Sequence, residues 1–114
     1  MVSRNCLVLF TILAFNLPLT AAPSGQQLLK ACEHAIANGY TGPEASMCEW
    51  YVTPCDCNAA QQEPIPRVCL PGDISSRKLA RKVIDGLKSE PELTGKSATY
   101  AAAVILSRDY PCSD

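Results

Sequence analysis

Hydrophobic residues recur every three or four positions in two segments of the first half of the chain. This spacing collects them on one side of a helix, so both segments are predicted to be amphipathic helices. The first helix begins at Ser24 or the glycine after it and ends at Asn38-Gly39, where glycine favours a left-handed stop. The second begins at Thr41-Gly42-Pro43 and runs through Val52, and Pro54 is predicted to end or kink it.

The second half of the chain carries the helical pattern twice more. A third helix begins at Ser75 or the serine after it, sets an apolar stripe opposite lysines and arginines, and ends at Glu90-Pro91-Glu92. A fourth, alanine-rich helix begins near Ser97 and runs to Asp109. The polar, proline-containing residues 56–71 are predicted to form an irregular loop. The pattern therefore predicts an all-α fold, a small disulfide-stabilised bundle of about four helices with a long loop between helices 2 and 3.

The start of the chain differs from the rest and is predicted to be a signal peptide, residues 1–21. Arg4 supplies the positive charge, and residues 6–15 form an apolar run of about ten residues. A run this short falls below the roughly twenty residues that a helix needs to span a bilayer. With cleavage after Ala21, we expect one exported helical domain, residues 22–114, without membrane attachment. The alternatives are an uncleaved anchor and a buried helix.

Charge and aromatic content exclude one class of partner. The net charge is −1, the isoelectric point is about 5.8, and aromatic residues make up 6% of the chain. Nucleic-acid binding generally needs a basic surface and, for single strands, aromatic platforms for the bases. We therefore expect no nucleic-acid partner.

The cysteine count indicates disulfide bonds. The chain has seven cysteines, and loss of Cys6 with the signal peptide leaves six. An even number in a short secreted chain is typical of a disulfide framework, because so small a core is only marginally stable by itself. The six are Cys32, Cys48, Cys55, Cys57, Cys69 and Cys112.

No pattern in the sequence indicates catalysis, a cofactor or a metal. His34 is the sole histidine, and a pair with Cys32 would lose its thiolate once that cysteine is oxidised. An exposed surface histidine is therefore favoured over a catalytic base. Cys55-Asp56-Cys57 is a weak zinc or redox signal, because a second ligand pair and the C-x-x-C spacing are both missing. We expect a protein that is not an enzyme and needs no cofactor.

Short motifs follow one another in a fixed order along the predicted domain. They are Leu28-Leu29-Lys30-Ala31-Cys32, Cys48-Glu49-Trp50-Tyr51-Val52, Cys69-Leu70-Pro71, Glu90-Pro91 and Tyr110-Pro111-Cys112. With an alanine-rich helix before the last of them, the chain resembles the Rap/Tai family of type VI secretion amidase immunity proteins. The resemblance implies an exported, all-helical protein that binds a peptidoglycan amidase effector and blocks its active-site cleft.

The chain departs from the family pattern after the second helix. Thr53-Pro54-Cys55 stands where the family typically continues with a glycine, and Cys57 is added. The resemblance implies that the other four cysteines pair among themselves. We favour the pairs Cys32–Cys112 and Cys48–Cys69, the second of which would close the long loop against helix 2. The two extra cysteines bond to each other in a strained loop, re-pair with the others, or stay free for an intermolecular link.

Three functions are compatible with these features. The first is a periplasmic immunity protein that inhibits an amidase effector, as a one-to-one complex or as a homodimer. The second is a general envelope protein, such as a small stress-protective or ligand-binding domain, without a cognate effector. The third is a secreted polypeptide that acts on another organism. We rank it last because the long alanine-rich helix is typical of a packed bundle rather than of a loop-rich toxin.

Candidate partner-binding residues lie on the second helix and in the loop that follows. Aromatic and charged side chains provide most of the binding energy in many interfaces, which favours these positions. A lone tryptophan on an apolar face is nevertheless more often part of the core, and that interpretation is favoured for the tryptophan here. The candidates are Trp50, Tyr51, Gln61, Gln62, Glu63 and Arg67.

Overall fold

The computed structural model describes residues 22–53 and 64–113, which form four α-helices, one 3-10 helix and no strand. The α-helices are α1 (Gly25–Ala37), α2 (Pro43–Val52), α3 (Ser76–Ser89) and α4 (Ala98–Asp109). The all-α prediction is thereby confirmed. The predicted signal peptide, residues 1–21, lies outside the described residues.

Serine side chains fix where three of the helices begin. Ser24 accepts a hydrogen bond from the amide of Gln27 at 3.2 Å, and the Gln27 side chain accepts one from the Ser24 amide at 2.8 Å. This reciprocal pair satisfies two amides that a helix start leaves without partners. Ser75 and Ser97 each accept from the amide three residues ahead, at 3.2 Å. The predicted starts of these three helices are confirmed.

The segment between α3 and α4 contains a short helix that was not predicted from the sequence. Glu90 ends α3, as expected, but Pro91–Gly95 then form a 3-10 helix that buries Leu93. The Leu93 carbonyl lies so close to Gly25 that a β-carbon there would clash with it. One short apolar side chain in a polar stretch gives too little periodicity to reveal such an element.

Helix α1 packs most extensively of the described helices, and it contacts each of the others and the 3-10 helix. The core consists mainly of leucines, valines and alanines, and α4 buries six small or aliphatic side chains on more than one side. A close crossing joins α3 and α4 at Gly86, where a β-carbon would lie 2.7 Å from side-chain atoms of Ile105. Small residues at these positions let the helices approach closely.

The two disulfide bonds within residues 22–53 and 64–113 differ from the pairing favoured from the sequence. Cys32 of α1 bonds to Cys48 of α2, and Cys69 bonds to Cys112, with a Cα–Cα distance of 5.0 Å in each pair. The four family-like cysteines do pair among themselves, but the favoured pairs Cys32–Cys112 and Cys48–Cys69 are wrong. The short turn after α1 sets the two helices side by side, so their cysteines face each other. Cys55 and Cys57 lie outside the described residues.

Both ends of the domain are fastened by backbone hydrogen bonds. At the start, the Gly25 amide donates to the Lys96 carbonyl at 2.8 Å and the Ala98 amide to the Pro23 carbonyl at 2.9 Å. At the end, the Cys69 amide donates to the Tyr110 carbonyl at 2.9 Å, next to the second disulfide bond. The first two bonds hold the start of α1 against the start of α4, and the third holds the segment before α3 against the segment after α4.

Candidate partner-binding site

Helix α2 buries one side and leaves the other in solvent. Ala45, Cys48 and Val52 are buried, at the spacing of three and four residues that defines one side of a helix. Pro43 occupies the first turn, where its missing N–H costs no hydrogen bond. The helix ends at Val52, as predicted, and the Thr53 amide still donates to the Glu49 carbonyl at 3.1 Å. The disulfide bond through Cys48 fixes this helix to α1.

Trp50 lies on the solvent side of α2. It is the one large hydrophobic residue that is exposed among the described residues, and 72% of its surface is accessible to solvent. The core interpretation of this tryptophan is therefore wrong. Cys48 and Val52, rather than the aromatic ring, point into the bundle. Tryptophan is enriched at protein interfaces, because it offers a large apolar ring together with a polar N–H group.

The other candidate residues are in different situations. Tyr51 is half-buried and packs against the hydrophobic core, so it helps to hold α2 in place. Arg67 is exposed, but it is engaged in an interaction within the structure, so it is not a free cation. It also lies outside α2, just before the Cys69 disulfide bond. Gln61, Gln62 and Glu63 lie outside the described residues.

The turn between α1 and α2 is fastened by a residue of α3 that the sequence analysis missed. Arg77 donates a hydrogen bond to the Gly39 carbonyl at 3.0 Å, and its guanidinium carbon lies 5.7 Å from the centre of the Tyr40 ring. Tyr40 has a φ of 61°, a left-handed conformation that non-glycine residues adopt rarely, and its hydroxyl has no partner among described groups. The Asn38-Gly39 stop predicts the turn from the sequence. No local pattern predicts the contact with Arg77, because the two partners are 38 positions apart.

Two acidic residues of α2, Glu44 and Glu49, flank the side of the helix that faces solvent. Glu49 is exposed, and its side chain makes no ion pair with a described residue. Glu44 lies on the other side, with its carboxylate 3.9 Å from Nε2 of His34. His34 itself is exposed, as predicted. The sequence of α2 contains no lysine or arginine, so the helix presents only negative charge.

The geometry gives no support for catalysis by a cysteine and a histidine. Cys32 is fully buried and bonded to Cys48, so it supplies no thiolate to His34. Within residues 22–53 and 64–113, no group of three histidine, cysteine, aspartate or glutamate side chains is arranged to hold a metal ion. In the same residues, no helix is long and apolar enough to cross a membrane.

Ion pairs fasten the end of α4 to α3 on another side of the bundle. Arg108 donates two hydrogen bonds to the Glu90 carboxylate, one of them at 2.8 Å. These bonds lower the pKa of Glu90 and raise that of Arg108. Lys82 donates to Asp109 at 2.7 Å, which raises the pKa of the lysine. These basic residues of α3 and α4 are thus partly neutralised within the protein.

The described residues form a small helical domain with two disulfide bonds and one exposed tryptophan. A family model described as Rap1a immunity proteins matches residues 24–112, which is most of the chain, and the protein belongs to this family. The match begins at the Ser24 cap and ends at Cys112, and so includes all four helices and both disulfide bonds. No curated protein and no solved structure matches the chain.

Proposed function

We propose that this protein acts in the periplasm as an immunity protein that binds and neutralises a peptidoglycan amidase delivered by type VI secretion. The observation that carries the proposal is the match of the Rap1a immunity family over residues 24–112. Membership of an immunity family implies a toxic partner protein. The apolar start of the chain and its disulfide bonds favour an oxidising compartment outside the cytoplasm, where a cell-wall amidase would act.

The scaffold suits inhibition by binding. Disulfide bonds join α1 to α2 and the segment before α3 to the end of the chain. Backbone hydrogen bonds close both ends of the domain. A surface held in this way loses little conformational freedom when it binds, so more of the contact energy becomes affinity.

Trp50 is the candidate contact residue that the structure supports best, because it is exposed on a helix whose other side is anchored. Tyr51 supports the proposal indirectly, as a packing residue of the same helix. Gln61, Gln62, Glu63 and Arg67 remain proposed contacts on the strength of the sequence. The complex would form with one copy of this chain or with a homodimer.

The proposal is tested by co-expression in a bacterial host. A candidate peptidoglycan amidase of type VI secretion is exported to the periplasm, with and without the full-length protein; an amidase gene next to this one, if present, supplies the first candidate. We expect lysis with the amidase alone and growth when both are exported. A version lacking residues 1–21 should fail to protect, because it stays in the wrong compartment.

A binding assay completes the test. The mature protein is mixed with a catalytically inactive form of the same amidase and analysed by size exclusion with light scattering, which also gives the stoichiometry. Continued lysis together with the absence of a complex would contradict the proposal for that enzyme and would favour a general envelope role.

A further inference from the structure

The solvent side of α2 carries an apolar stripe directly opposite its buried side. Successive residues of an α-helix are rotated by about 100°. Pro43, Met47 and Trp50 therefore lie within about 60° of one another, facing away from the buried Cys48 and Val52. We call Pro43, Met47 and Trp50, together with Ser46 beside them, the α2 outer face.

The α2 outer face is only partly covered by the rest of the protein. Pro43, Ser46 and Trp50 are exposed and Met47 is half-buried. A solvated helix side normally carries charged and polar residues, as the row of lysines and arginines on α3 does. An apolar stripe of this kind on a ten-residue helix is typical of a surface that binds another molecule.

Charge indicates what that molecule is. The edges of the α2 outer face carry Glu44 and Glu49, and α2 has no basic residue to neutralise them. His34 reaches only Glu44, at 3.9 Å, and Arg77 already contacts Gly39 and Tyr40. A complementary surface therefore has an apolar recess for the indole ring and basic side chains around it.

A second copy of this chain fits the α2 outer face poorly. A twofold symmetric contact would set each α2 against the α2 of the other copy, because the same patch must face itself. Glu44 and Glu49 of the two copies would then approach one another without compensating cations on that helix. Like charges in such a contact oppose association.

We propose that the α2 outer face is the docking surface for the partner protein, whose matching surface is an apolar pocket with a basic rim and receives Trp50. The proposal rests on the proposed function in taking this partner to be the amidase. In this proposal the apolar contact is made by α2 itself. Glu44 and Glu49 at its edges favour a partner with basic side chains in the matching positions.

Fluorine NMR reports directly on this surface. Trp50 is the one tryptophan of the chain, so 5-fluorotryptophan gives a single resonance. On addition of the inactive amidase we expect this resonance to shift and to lose its sensitivity to D₂O, because the ring leaves solvent. A concentration series of the labelled protein alone should leave it unchanged. A shift in that series would assign the surface to a second copy and overturn the proposal.

Substitutions measure the two parts of the contact. Trp50→Ala should weaken amidase binding by at least about 30-fold, as expected for a buried anchor, without loss of helicity because the ring makes little contact in the free protein. Glu49→Lys should weaken it about tenfold and Glu49→Gln about threefold. Glu92→Lys is the matched control, since it changes the charge equally on the 3-10 helix, which does not contact α2; binding should stay within about twofold.

The outcomes separate this proposal from the proposed function. A complex that forms while the Trp50 resonance and the affinity of Trp50→Ala stay unchanged would overturn the docking surface and leave the immunity function intact. Equal effects of Glu49→Lys and Glu92→Lys would overturn the basic rim. Failure of the wild-type protein to bind the amidase would overturn the proposed function, and this assignment of the partner with it.

Discussion

The two disulfide bonds in the described part of the chain have the same covalent chemistry and opposite surroundings. Cys32 and Cys48 are fully buried between two helices, whereas Cys69 is exposed and Cys112 is half-buried in irregular segments. The buried bond closes 16 positions of the chain and the outer bond 43. We call them the inner bond and the outer bond.

The difference shows that a disulfide bond serves either as part of the core or as a tether. The inner bond occupies space that aliphatic side chains would otherwise fill, so removing it disturbs packing as well as chain connectivity. The outer bond acts beside a backbone hydrogen bond from Cys69 to Tyr110 and holds the two segments that flank α3 and α4. Burial should therefore decide how each bond behaves.

The largest expected difference is in reactivity with a reductant. Under native conditions a dithiol should reduce the outer bond at least about a hundredfold faster than the inner one, because the inner sulfurs become accessible only when helices separate. Alkylation at timed intervals followed by peptide mass mapping measures both rates. Simultaneous labelling of Cys32 and Cys69 would show that burial does not distinguish the two bonds.

The next largest effect concerns stability. By restricting the unfolded chain, a disulfide bond is expected to add about 3 kcal/mol to the free energy of unfolding for a loop of 16 residues and about 4 kcal/mol for one of 43. By this contribution alone the outer bond would stabilise the protein more. Loss of buried contacts adds about 2 kcal/mol for the inner bond. We therefore expect Cys32→Ala/Cys48→Ala to lower the free energy of unfolding by about 5 kcal/mol and Cys69→Ala/Cys112→Ala by about 4 kcal/mol. Urea denaturation measures both, and the reverse order would favour loop length over burial.

Two glycines extend the comparison of interior and periphery with smaller effects. In Gly86→Ala the new β-carbon would lie 2.7 Å from Ile105 side-chain atoms, and the required shift should cost about 1–2 kcal/mol after the gain in helix propensity. Gly95→Ala is the matched control, because no atom lies within 4 Å of its added β-carbon. Its thermal unfolding should be nearly that of the wild type; equal losses in the two variants would contradict the close crossing of α3 and α4.

The smallest expected effect concerns the ion pair between Glu90, at the end of α3, and Arg108, near the end of α4. The hydrogen bonds from Arg108 lower the pKa of Glu90 from its usual 4.5, so the folded state binds a proton less readily than the unfolded state. This stabilisation is complete above pH 4.5 and is lost as the pH falls through the lowered pKa.

Thermal unfolding across pH checks this sign. Glu90→Gln should have a lower Tm than the wild type at pH 7, and the gap should close at acidic pH below 4.5. Glu49→Gln serves as the control, since the Glu49 carboxylate makes no ion pair with a described residue. A gap that is independent of pH would rule out the ion pair as the cause.

The four α-helices were predictable because their signals are local. Serine caps, a proline in the first turn of α2 and the apolar stripe of α3 act within a few residues, so the sequence indicates them directly. The 3-10 helix was missed because a single buried leucine marks it. The family resemblance was confirmed by the family model, since ordered motifs are also a property of sequence alone.

The inner bond had a signal that the sequence analysis did not use. Cys32 lies five residues before the end of α1 and Cys48 five residues after the start of α2, so an antiparallel pair of helices sets them level. The outer bond had none, because its partners are 43 positions apart and both lie in irregular segments. Only the packing of α3 and α4 brings those segments together.

The sequence by itself determined the helices, their caps, the class of fold and the family, because these depend on neighbouring residues and on motif order. Tertiary structure alone decided the pairing of Cys69 with Cys112 and which side of α2 stays in solvent. Helical periodicity gives α2 two apolar stripes and does not tell which of them is buried. One consists of Pro43, Met47 and Trp50, and the other of Ala45, Cys48 and Val52. In the folded protein Cys48 bonds to Cys32 of α1, and Ala45 and Val52 are buried on the same side, which leaves the tryptophan in solvent.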